Sequence, residues 1–332
     1  MAESESTSVS GTVPAPNYAE RYFWHAKTWA ALTRDLGKLP HASLFHGPGG
    51  LGKRAFAWRL AKSLLCDSPG SDDASACGRC HNCRRFDTGV HPDLLSVKPL
   101  GDSASIVVDQ IRAVGEFVSL RPHTAARKLV LVEPAEAMNL NAANAFLKVL
   151  EEPPSSSSLL LITPQAARLP ATIRSRCMLI PFRSPDTSKA IEWLRLQGVN
   201  ETIARTALSL AAGAPLRALG LARSDELTVR DGWMKDVAAV RTGAQDPLTC
   251  AQRWKDYGAE RCLDWFQRYV AELIRAEAKN PAQDKKRKLL SHLFCYFDVL
   301  SEAKNLSKGP LDETLLLEDM LIRWFRLFHG VV

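Results

Sequence analysis

Residues 47–54 read Gly-Pro-Gly-Gly-Leu-Gly-Lys-Arg and follow the phosphate-binding pattern G-x-x-x-x-G-K-S/T at every position except the last. Glycines allow backbone N–H groups to close around phosphate oxygens, and the lysine reaches the outer phosphates. The last position normally supplies a hydroxyl to Mg²⁺, but a guanidinium cannot ligate a metal. The pattern therefore predicts a degenerate nucleotide site, and the alternative is a glycine-rich turn without a ligand. Its candidate residues are Gly47, Gly49, Gly50, Gly52, Lys53 and Arg54.

Four of the eight cysteines lie close together, with the spacing C-x10-C-x2-C-x2-C. A cytosolic chain holds no stable disulfides, so a cluster of this kind indicates a metal site. Four thiolates suit tetrahedral Zn²⁺ with no open position, which predicts a structural zinc site. The alternative is four reduced cysteines in a loop. The predicted ligands are Cys66, Cys77, Cys80 and Cys83.

A third chemical feature is the end of the predicted strand 129–132. In ATPases with this loop, the strand opposite it normally ends in an Asp for Mg²⁺, often followed by a Glu that polarises the attacking water. Here Glu133 could stand in for the Asp, but Pro134 has no functional side chain to act as the base. Together with Arg54, these residues predict a chain that does not hydrolyse ATP efficiently.

Composition places the chain among globular proteins with two or three domains. It has 332 residues, of which 46% are hydrophobic and 24% charged. A net charge of +7 permits contact with nucleic acid but does not establish it. No apolar run reaches membrane-spanning length. Residues 1–17 lack an apolar signal-peptide core and predict a disordered lead, so a cytoplasmic location is expected.

The elements that must position these residues alternate between strand and helix. Buried strands are predicted at 43–46, 93–97, 129–132, 159–162 and 178–182, with helices at 18–39, 55–65, 106–120 and 139–152. This order predicts an open parallel sheet with helices on both faces. Short helices follow from 187 to 221, and from 225 onward wide apolar stripes predict a helical bundle. The basic run 285–288 is predicted to be a solvated loop between helices.

Two segments resemble the signature of bacterial sliding-clamp loaders of the AAA+ family. They are 128–154, with Asn144-Ala145-Phe146-Leu147-Lys148 and Glu151-Glu152-Pro153-Pro154, and 169–177, with Ser175-Arg176-Cys177. The resemblance covers roughly 18 to the end and is weakest in the last hundred residues. In combining degraded ATPase motifs with an intact Ser-Arg-Cys motif, the chain resembles the delta-prime subunits of the DNA polymerase III holoenzyme.

This resemblance implies an α/β P-loop domain at 18–183 carrying a zinc module at 66–83. A small helical lid at 184–224 and an all-α collar at 225–332 would follow. Implied partners are the gamma/tau and delta subunits in a hetero-pentamer, and the sliding clamp and primer-template DNA through that complex. No membrane partner is expected.

Four residues match functional positions of the family. Lys53 matches the loop lysine, Thr163 a sensor position, Arg217 the lid sensor arginine, and Arg176 an arginine finger that acts in trans on a neighbour's ATP. Structural alternatives are that Thr163 caps a strand and that Arg217 is a solvated helix residue.

The resemblance implies a non-motor subunit without ATPase activity of its own, within a DNA-directed DNA polymerase, a nucleotidyltransferase. One alternative is an active gamma/tau-like ATPase, which Arg54 and Pro134 argue against. Another is a zinc-dependent DNA-binding module, for which Arg79, Arg84 and Arg85 are too few. The sequence leaves open whether ATP or ADP still binds, including without Mg²⁺. Subunit order and stoichiometry, direct DNA contacts and the lid–collar boundary are also open.

Overall fold

A computed structural model describes residues 21–71, 73–101, 104–154, 156–278, 284–307, 309 and 312–330, with only the backbone of 284–287. The lead predicted for 1–17 lies outside these residues. The chain divides into two compact units between Gly220 and Leu221. Each unit has its own hydrophobic core, as described below.

The first unit is built on a five-stranded sheet in the order β2-β3-β4-β1-β5. All its described pairings are parallel, as predicted. Every residue of β3 and β4 is buried, which accounts for their continuous apolar sequences. The strands are β1 Ala42–His46, β2 Leu94–Val97, β3 Lys128–Val132, β4 Ser157–Thr163 and β5 Met178–Pro181.

Helices of the first unit connect these strands and continue beyond them. The predicted helix over 18–39 is wrong in extent, because short 3₁₀ turns at Phe23–His25 and Leu36–Lys38 flank a helix of eight residues. The Asp35 carboxylate accepts from the Gly37 N–H and stabilises the second of these turns. The helices are α1 Ala26–Thr33, α2 Lys53–Leu65, α3 His81–Asp87, α4 Val108–Ser119, α5 Leu140–Glu151, α6 Ala171–Arg174, α7 Thr187–Leu196 and α8 Glu201–Leu210. The next helix, α9 Pro215–Arg223, begins in the first unit and ends just after the division.

Successive residues of β1 point to opposite faces of the sheet. Leu44 belongs to the core that includes Val114 of α4 and Phe146 of α5. Phe45 instead lies against Phe56 of α2, with ring centroids 5.7 Å apart. Helices therefore cover both faces, and α2 is held firmly behind the glycine loop.

All the regular secondary structure described in the second unit is helical, as predicted. Its core is rich in tryptophan: Trp233, Trp254 and Trp324 are fully buried. The Trp324 indole N–H donates to the Val237 carbonyl at 3.2 Å, linking α14 to α10. The helices are α10 Glu226–Thr242, α11 Pro247–Lys255, α12 Ala259–Ala278, α13 Asp284–Leu306 and α14 Glu313–His329.

The loop predicted for 285–288 is wrong, because α13 already begins at Asp284. Lys and Arg are good helix formers, so a basic run is compatible with a first helical turn. The charge pattern indicates exposure to solvent but does not distinguish a loop from a helix.

Candidate nucleotide site and cysteine cluster

The glycine loop connects β1 to α2 through backbone conformations that require glycine. Gly47 has φ 138°, and an added Cβ would lie 2.2 Å from the Phe182 carbonyl oxygen. Gly52, with φ 79°, precedes α2, and a Cβ there would lie 2.7 Å from the Tyr22 ring. A side chain at either position would clash as well as strain the backbone. The sequence pattern thus reports a real constraint on the loop.

Lys53 is the first residue of α2 and is buried, with 6% of its surface exposed. Its ammonium donates to the carbonyls of Gly47 at 2.6 Å and Pro48 at 2.7 Å. Burial lowers the pKa of Lys53, and the nearby carboxylates of Glu133 and Glu136 partly offset this effect. The Lys53 side chain therefore reaches back from α2, and its ammonium lies within the glycine loop, as the sequence pattern predicts.

An ion pair joins the two residues that the sequence marks as departures from a metal-binding ATPase. The Arg54 Nε lies 3.1 Å from the Glu133 Oε2. Burial raises the pKa of Glu133, while the charges of Arg54 and Lys53 act in the opposite direction. The sequence alone does not reveal this pair, because the two residues lie far apart along the chain and meet only in the folded sheet.

The residues present do not fit Mg²⁺ in its usual place. Arg54 brings a fixed positive charge where the metal's hydroxyl ligand is expected, and Glu133 is already paired with it. Pro134 lines the same cavity and offers no base. The absence of ATP hydrolysis stays a prediction.

A cavity of about 340 Å³ opens at the loop. Its charged lining residues are Lys53, Arg54 and Glu133. Leu216 of α9 also lines it, and the Leu216 N–H donates to the Gly50 carbonyl at 3.1 Å. The complete lining is Gly49, Gly50, Gly52, Lys53, Arg54, Glu133, Pro134, Ile162, Pro164 and Leu216.

The two predicted sensor residues lie next to this cavity without lining it. The backbone of Arg217 passes Gly50 so closely that a Cβ on the glycine would lie 2.6 Å from the Arg217 Cβ, and the arginine side chain is exposed. Thr163 is fully buried at the end of β4, and its Oγ1 accepts from the Gln165 N–H at 3.1 Å. Thr163 thus makes the contact expected of a strand cap, and both sensor roles stay predictions.

Arg176 is separate from the cavity lining. Its guanidinium donates to the Glu151 carboxylate at 2.6 Å and to the Thr172 carbonyl at 3.1 Å. The next residue, Cys177, is buried, which raises the pKa of its thiol to about 11. The Ser-Arg-Cys segment therefore anchors its cysteine in the core and presents its arginine at the surface.

The four clustered cysteines converge as predicted, with all their Sγ atoms within 4.8 Å of one another. The Cys66–Cys80 pair is separated by 3.9 Å and the Cys77–Cys83 pair by 4.0 Å. Four sulfurs at the usual zinc distance form a tetrahedron with edges of about 3.8 Å. The cluster can hold a metal ion of this size.

Backbone N–H groups favour thiolates in this cluster. The Cys77 N–H donates to the Cys66 Sγ at 3.3 Å, and the Cys80 N–H donates to the Cys77 Sγ at 3.4 Å. Donation from the backbone N–H groups of Arg79 and Cys80 lowers the pKa of Cys77 to about 6. Burial raises the pKa of Cys66 and of Cys83. A bound cation would offset that cost of ionising the buried thiols.

The cluster is tied to the rest of the first unit. Cys66 follows the last residue of α2, and Cys80 precedes α3. The Asn82 side-chain amide donates to Asp67 at 2.7 Å and to the Thr124 carbonyl at 3.2 Å. The module therefore contacts both the glycine-loop helix and the segment before β3.

A parallel sheet, a glycine loop and a lysine opening α2 define a P-loop α/β protein. A family model described as "DNA polymerase III, delta subunit" matches residues 24–186. The DNA polymerase III subunit delta' of Pseudomonas aeruginosa is 34% identical over 330 residues, 93% of this chain and 98% of the relative. The chain belongs to the family of DNA polymerase III delta-prime subunits, and its resemblance to clamp loaders is confirmed.

Other relatives include both delta' and tau subunits of DNA polymerase III. The subunit delta' of Escherichia coli is 35% identical over 243 residues, 73% of this chain and 72% of the relative. The Escherichia coli subunit tau is 32% identical over 220 residues, covering 66% of this chain and 32% of the relative. A gamma subunit-related protein of Thermotoga maritima aligns in structure with a TM-score of 0.44 and 18% identity, covering 90% of this chain and 98% of that one. Among the described residues, no helix is both long and apolar enough to span a membrane.

Proposed function

We propose that this chain is the delta-prime subunit of a DNA polymerase III clamp loader and supports ATP-dependent loading of the sliding clamp onto primed DNA. The observation that carries the proposal is the Arg54–Glu133 ion pair, which fills the metal position of the site in a chain of this family. The subunit contributes to a polymerase holoenzyme without a reaction of its own. The gamma/tau-like ATPase alternative requires a metal position and a base that Arg54 and Pro134 do not provide.

Arg176 acts in trans, on ATP bound by an adjacent motor subunit. Two observations support this role: the side chain is 37% exposed, and it does not line the chain's own cavity. Exposed ion pairs such as Arg176–Glu151 contribute little net stability, so the guanidinium can exchange Glu151 for a phosphate. A finger of this kind stabilises the charge that develops on the transferred phosphoryl group.

The cysteine cluster holds one structural zinc ion, and its four sulfurs complete the coordination shell of that ion.

The partners of this chain are the gamma/tau and delta subunits, with which it forms a hetero-pentamer. Through that assembly, in the cytoplasm, the chain meets the sliding clamp and primer-template DNA. The alternative of a zinc-dependent DNA-binding module is weaker. A backbone N–H group donates to a sulfur of the cluster, and the cluster joins the end of α2 to the start of α3, which favours a structural role. Fluorescence anisotropy should show no saturable DNA binding by the isolated chain.

Co-purification tests the assembly. The full chain, expressed with the gamma/tau and delta subunits of the same organism, should elute with them as one complex. Clamp loading by that complex should require this chain. Failure to co-purify, or clamp loading at the full rate in its absence, would contradict the proposal.

A further inference from the structure

We infer that Asn82 is a positioning residue of the cysteine cluster. Its side-chain amide holds together the two chain segments that carry Cys66 and Cys83, so that their sulfurs lie ready for a metal ion. The inference rests on the proposed zinc site and adds to it a residue that is not itself a ligand. Residues beside the ligands of a metal set how tightly it is held, because they fix the orientation of the ligands.

The four sulfurs come from two segments that are separate in the chain. Cys66 directly follows α2, whereas Cys80 precedes α3 and Cys83 lies in the first turn of that helix. Ten residues lie between Cys66 and Cys77. A loop of this length does not by itself fix the distance between its ends. Contacts between the two segments must therefore place Cys66 relative to α3.

Asn82 joins the two segments from a buried position. It is the second residue of α3, and 2% of its surface is exposed. Its Nδ2 donates to the Asp67 Oδ1 at 2.7 Å and to the Thr124 carbonyl at 3.2 Å. Asp67 follows Cys66 directly, and Asn82 precedes Cys83 directly. One amide group thus connects the neighbours of two predicted ligands.

The segment before β3 gives this connection a fixed support. The Thr124 N–H donates to the buried Asp93 carboxylate at 2.7 Å, and the N–H groups of His123 and Ala125 donate to the same carboxylate. The Thr124 carbonyl is therefore held in place where the Asn82 amide meets it. Through this carbonyl the start of α3 is tied to the sheet, and through Asp67 the end of α2 is tied to α3.

The amide oxygen of Asn82 indicates that its N–H donors account for an asparagine at this position. The Oδ1 is buried and accepts no hydrogen bond from the residues that the structure describes. An unpaired buried acceptor lowers stability. Both partners of the Nδ2 are acceptors, and among side chains of this size a serine has one donor and an ionised aspartate has none. The two donors, which hold two segments in place, therefore offset the cost of the oxygen.

The test replaces Asn82 by aspartate in the full-length chain. Asn82→Asp keeps the shape of the side chain but turns a carboxylate toward two acceptors, so both contacts become repulsive. Zinc affinity, measured by competition with a chromogenic chelator, should fall about ten- to a hundred-fold. The visible absorption bands of bound Co²⁺ should change as well, because they report the arrangement of the four thiolates. Asn144→Asp is the matched control, since Asn144 is exposed on α5.

A second substitution tests the hydrogen bond to Asp67 directly. Asp67→Asn in the Asn82→Asp background exchanges the donor and the acceptor of this bond. Part of the zinc affinity should return, but not all of it, because the contact with the Thr124 carbonyl stays repulsive. A zinc affinity of the double variant no higher than that of Asn82→Asp would contradict a bridge between these two segments.

Val114→Ala separates positioning from stability. Val114 is fully buried in the core of the first unit and is not part of the cysteine cluster. This variant should unfold at a lower denaturant concentration and keep its zinc affinity and Co²⁺ spectrum. If Asn82→Asp lowers zinc affinity no more than Val114→Ala does, the positioning role is wrong.

The possible failures can be told apart. If Asn82→Asp does not fold, Asn82→Ser, which retains one donor, decides by the same comparison. Normal zinc binding by the wild type and by the Asn82 variant would reject the positioning role and leave the zinc site in place. A folded, reduced wild-type chain that binds no zinc would reject the zinc site, and the positioning role with it.

Discussion

Arg54 changes the chemistry of the glycine loop more than its position in the motif suggests. A threonine there would offer one oxygen to a metal, whereas the arginine brings a charge and reaches Glu133 at 3.1 Å. The pair links the start of α2 to the residue after β3. The loop thus keeps its shape, which depends on its glycines, while its hydrolytic parts are replaced.

The residues at the glycine loop predict that the isolated chain does not turn over ATP. Phosphate release by the isolated chain should equal the buffer background, and Arg54→Thr should not restore it, since Pro134 still provides no base. Steady-state phosphate release measures both. A wild-type rate that Lys53→Ala abolishes would contradict the assignment of a silent subunit.

Arg176→Ala should lower the clamp-stimulated, DNA-dependent ATPase of the assembled complex. An arginine finger contributes about 10³–10⁵ in rate at its own site. Only one of several sites loses its finger, so total turnover should fall partially. Arg176→Lys should rescue poorly, because a point charge lacks the planar fork. Normal clamp loading by a complete Arg176→Ala complex would assign Arg176 a structural role.

Glu151 offers a matched comparison for the same site. Its carboxylate accepts from Arg176 at 2.6 Å, whereas the neighbouring Glu152 is exposed and forms no ion pair with any residue that the structure describes. If Glu151 aligns the guanidinium, Glu151→Gln should reduce ATPase in the complex while Glu152→Gln should not. Equal effects of the two substitutions would show that Glu151 does not align the Arg176 guanidinium.

At the scale of elements, Asp93 fixes the segment that leads into β3. It is fully buried just before β2, and its carboxylate accepts from the N–H groups of His123 at 2.6 Å, Thr124 at 2.7 Å and Ala125 at 2.9 Å. The Lys128 ammonium lies 3.4 Å away. Burial alone would raise the pKa of Asp93, but these donors and Lys128 bring it down to about 2.

Asp93→Asn should lower the free energy of unfolding by about 3–5 kcal/mol, because it leaves the Lys128 ammonium buried and unpaired. Denaturant unfolding at neutral pH measures the loss. Asp109→Asn is the control, since that carboxylate forms only an exposed pair on α4 and should change stability by less than about 1 kcal/mol. Equal losses in the two variants would contradict the role of Asp93.

The same group predicts a pH dependence. The folded pKa of about 2 lies below the ordinary value of 3.8, so the stabilisation is present above pH 3.8 and is lost as pH falls toward 2. About 2 kcal/mol should disappear across this window in the wild type. Asp93→Asn should lack that component when unfolding is measured along the same pH series.

The strands were predictable because β3 and β4 are buried on both faces and read as continuous apolar runs. The order of the strands in the sheet could not be predicted, because long crossover connections join parallel strands and the local sequence does not show which strands become neighbours. Asp93 was missed for a related reason: its partners lie about thirty residues farther along the chain. The cysteine cluster was found because its ligand spacing is local.

For the molecule as a whole, the zinc proposal predicts about one zinc per reduced, folded chain by elemental analysis. Cys80→Ser should lose the metal and lower the melting temperature, because a closed thiolate site contributes folding free energy. Cys295→Ser should keep both, since Cys295 is exposed and outside the cluster. A folded wild-type protein without zinc would contradict the assignment.

Two compact units with separate cores agree with the predicted change from an α/β to an all-helical region. The boundaries at 183/184 and 224/225 stay predictions. The exposed side of the second unit was not predictable either. Leu293 is buried and the adjacent Phe294 is half exposed, a distinction that depends on which face meets α12 and α14.

The Arg54–Glu133 ion pair also bears on how this chain can evolve. Reverting Arg54 to threonine alone removes the cation that balances Glu133, and shortening Glu133 to aspartate alone draws the carboxylate away from the guanidinium. Neither step restores catalysis, because Pro134 must change as well. ATP hydrolysis would therefore require at least two substitutions in combination, one at the ion pair and one at Pro134. The pair thus couples two positions, at the start of α2 and after β3, that would otherwise be free to change independently.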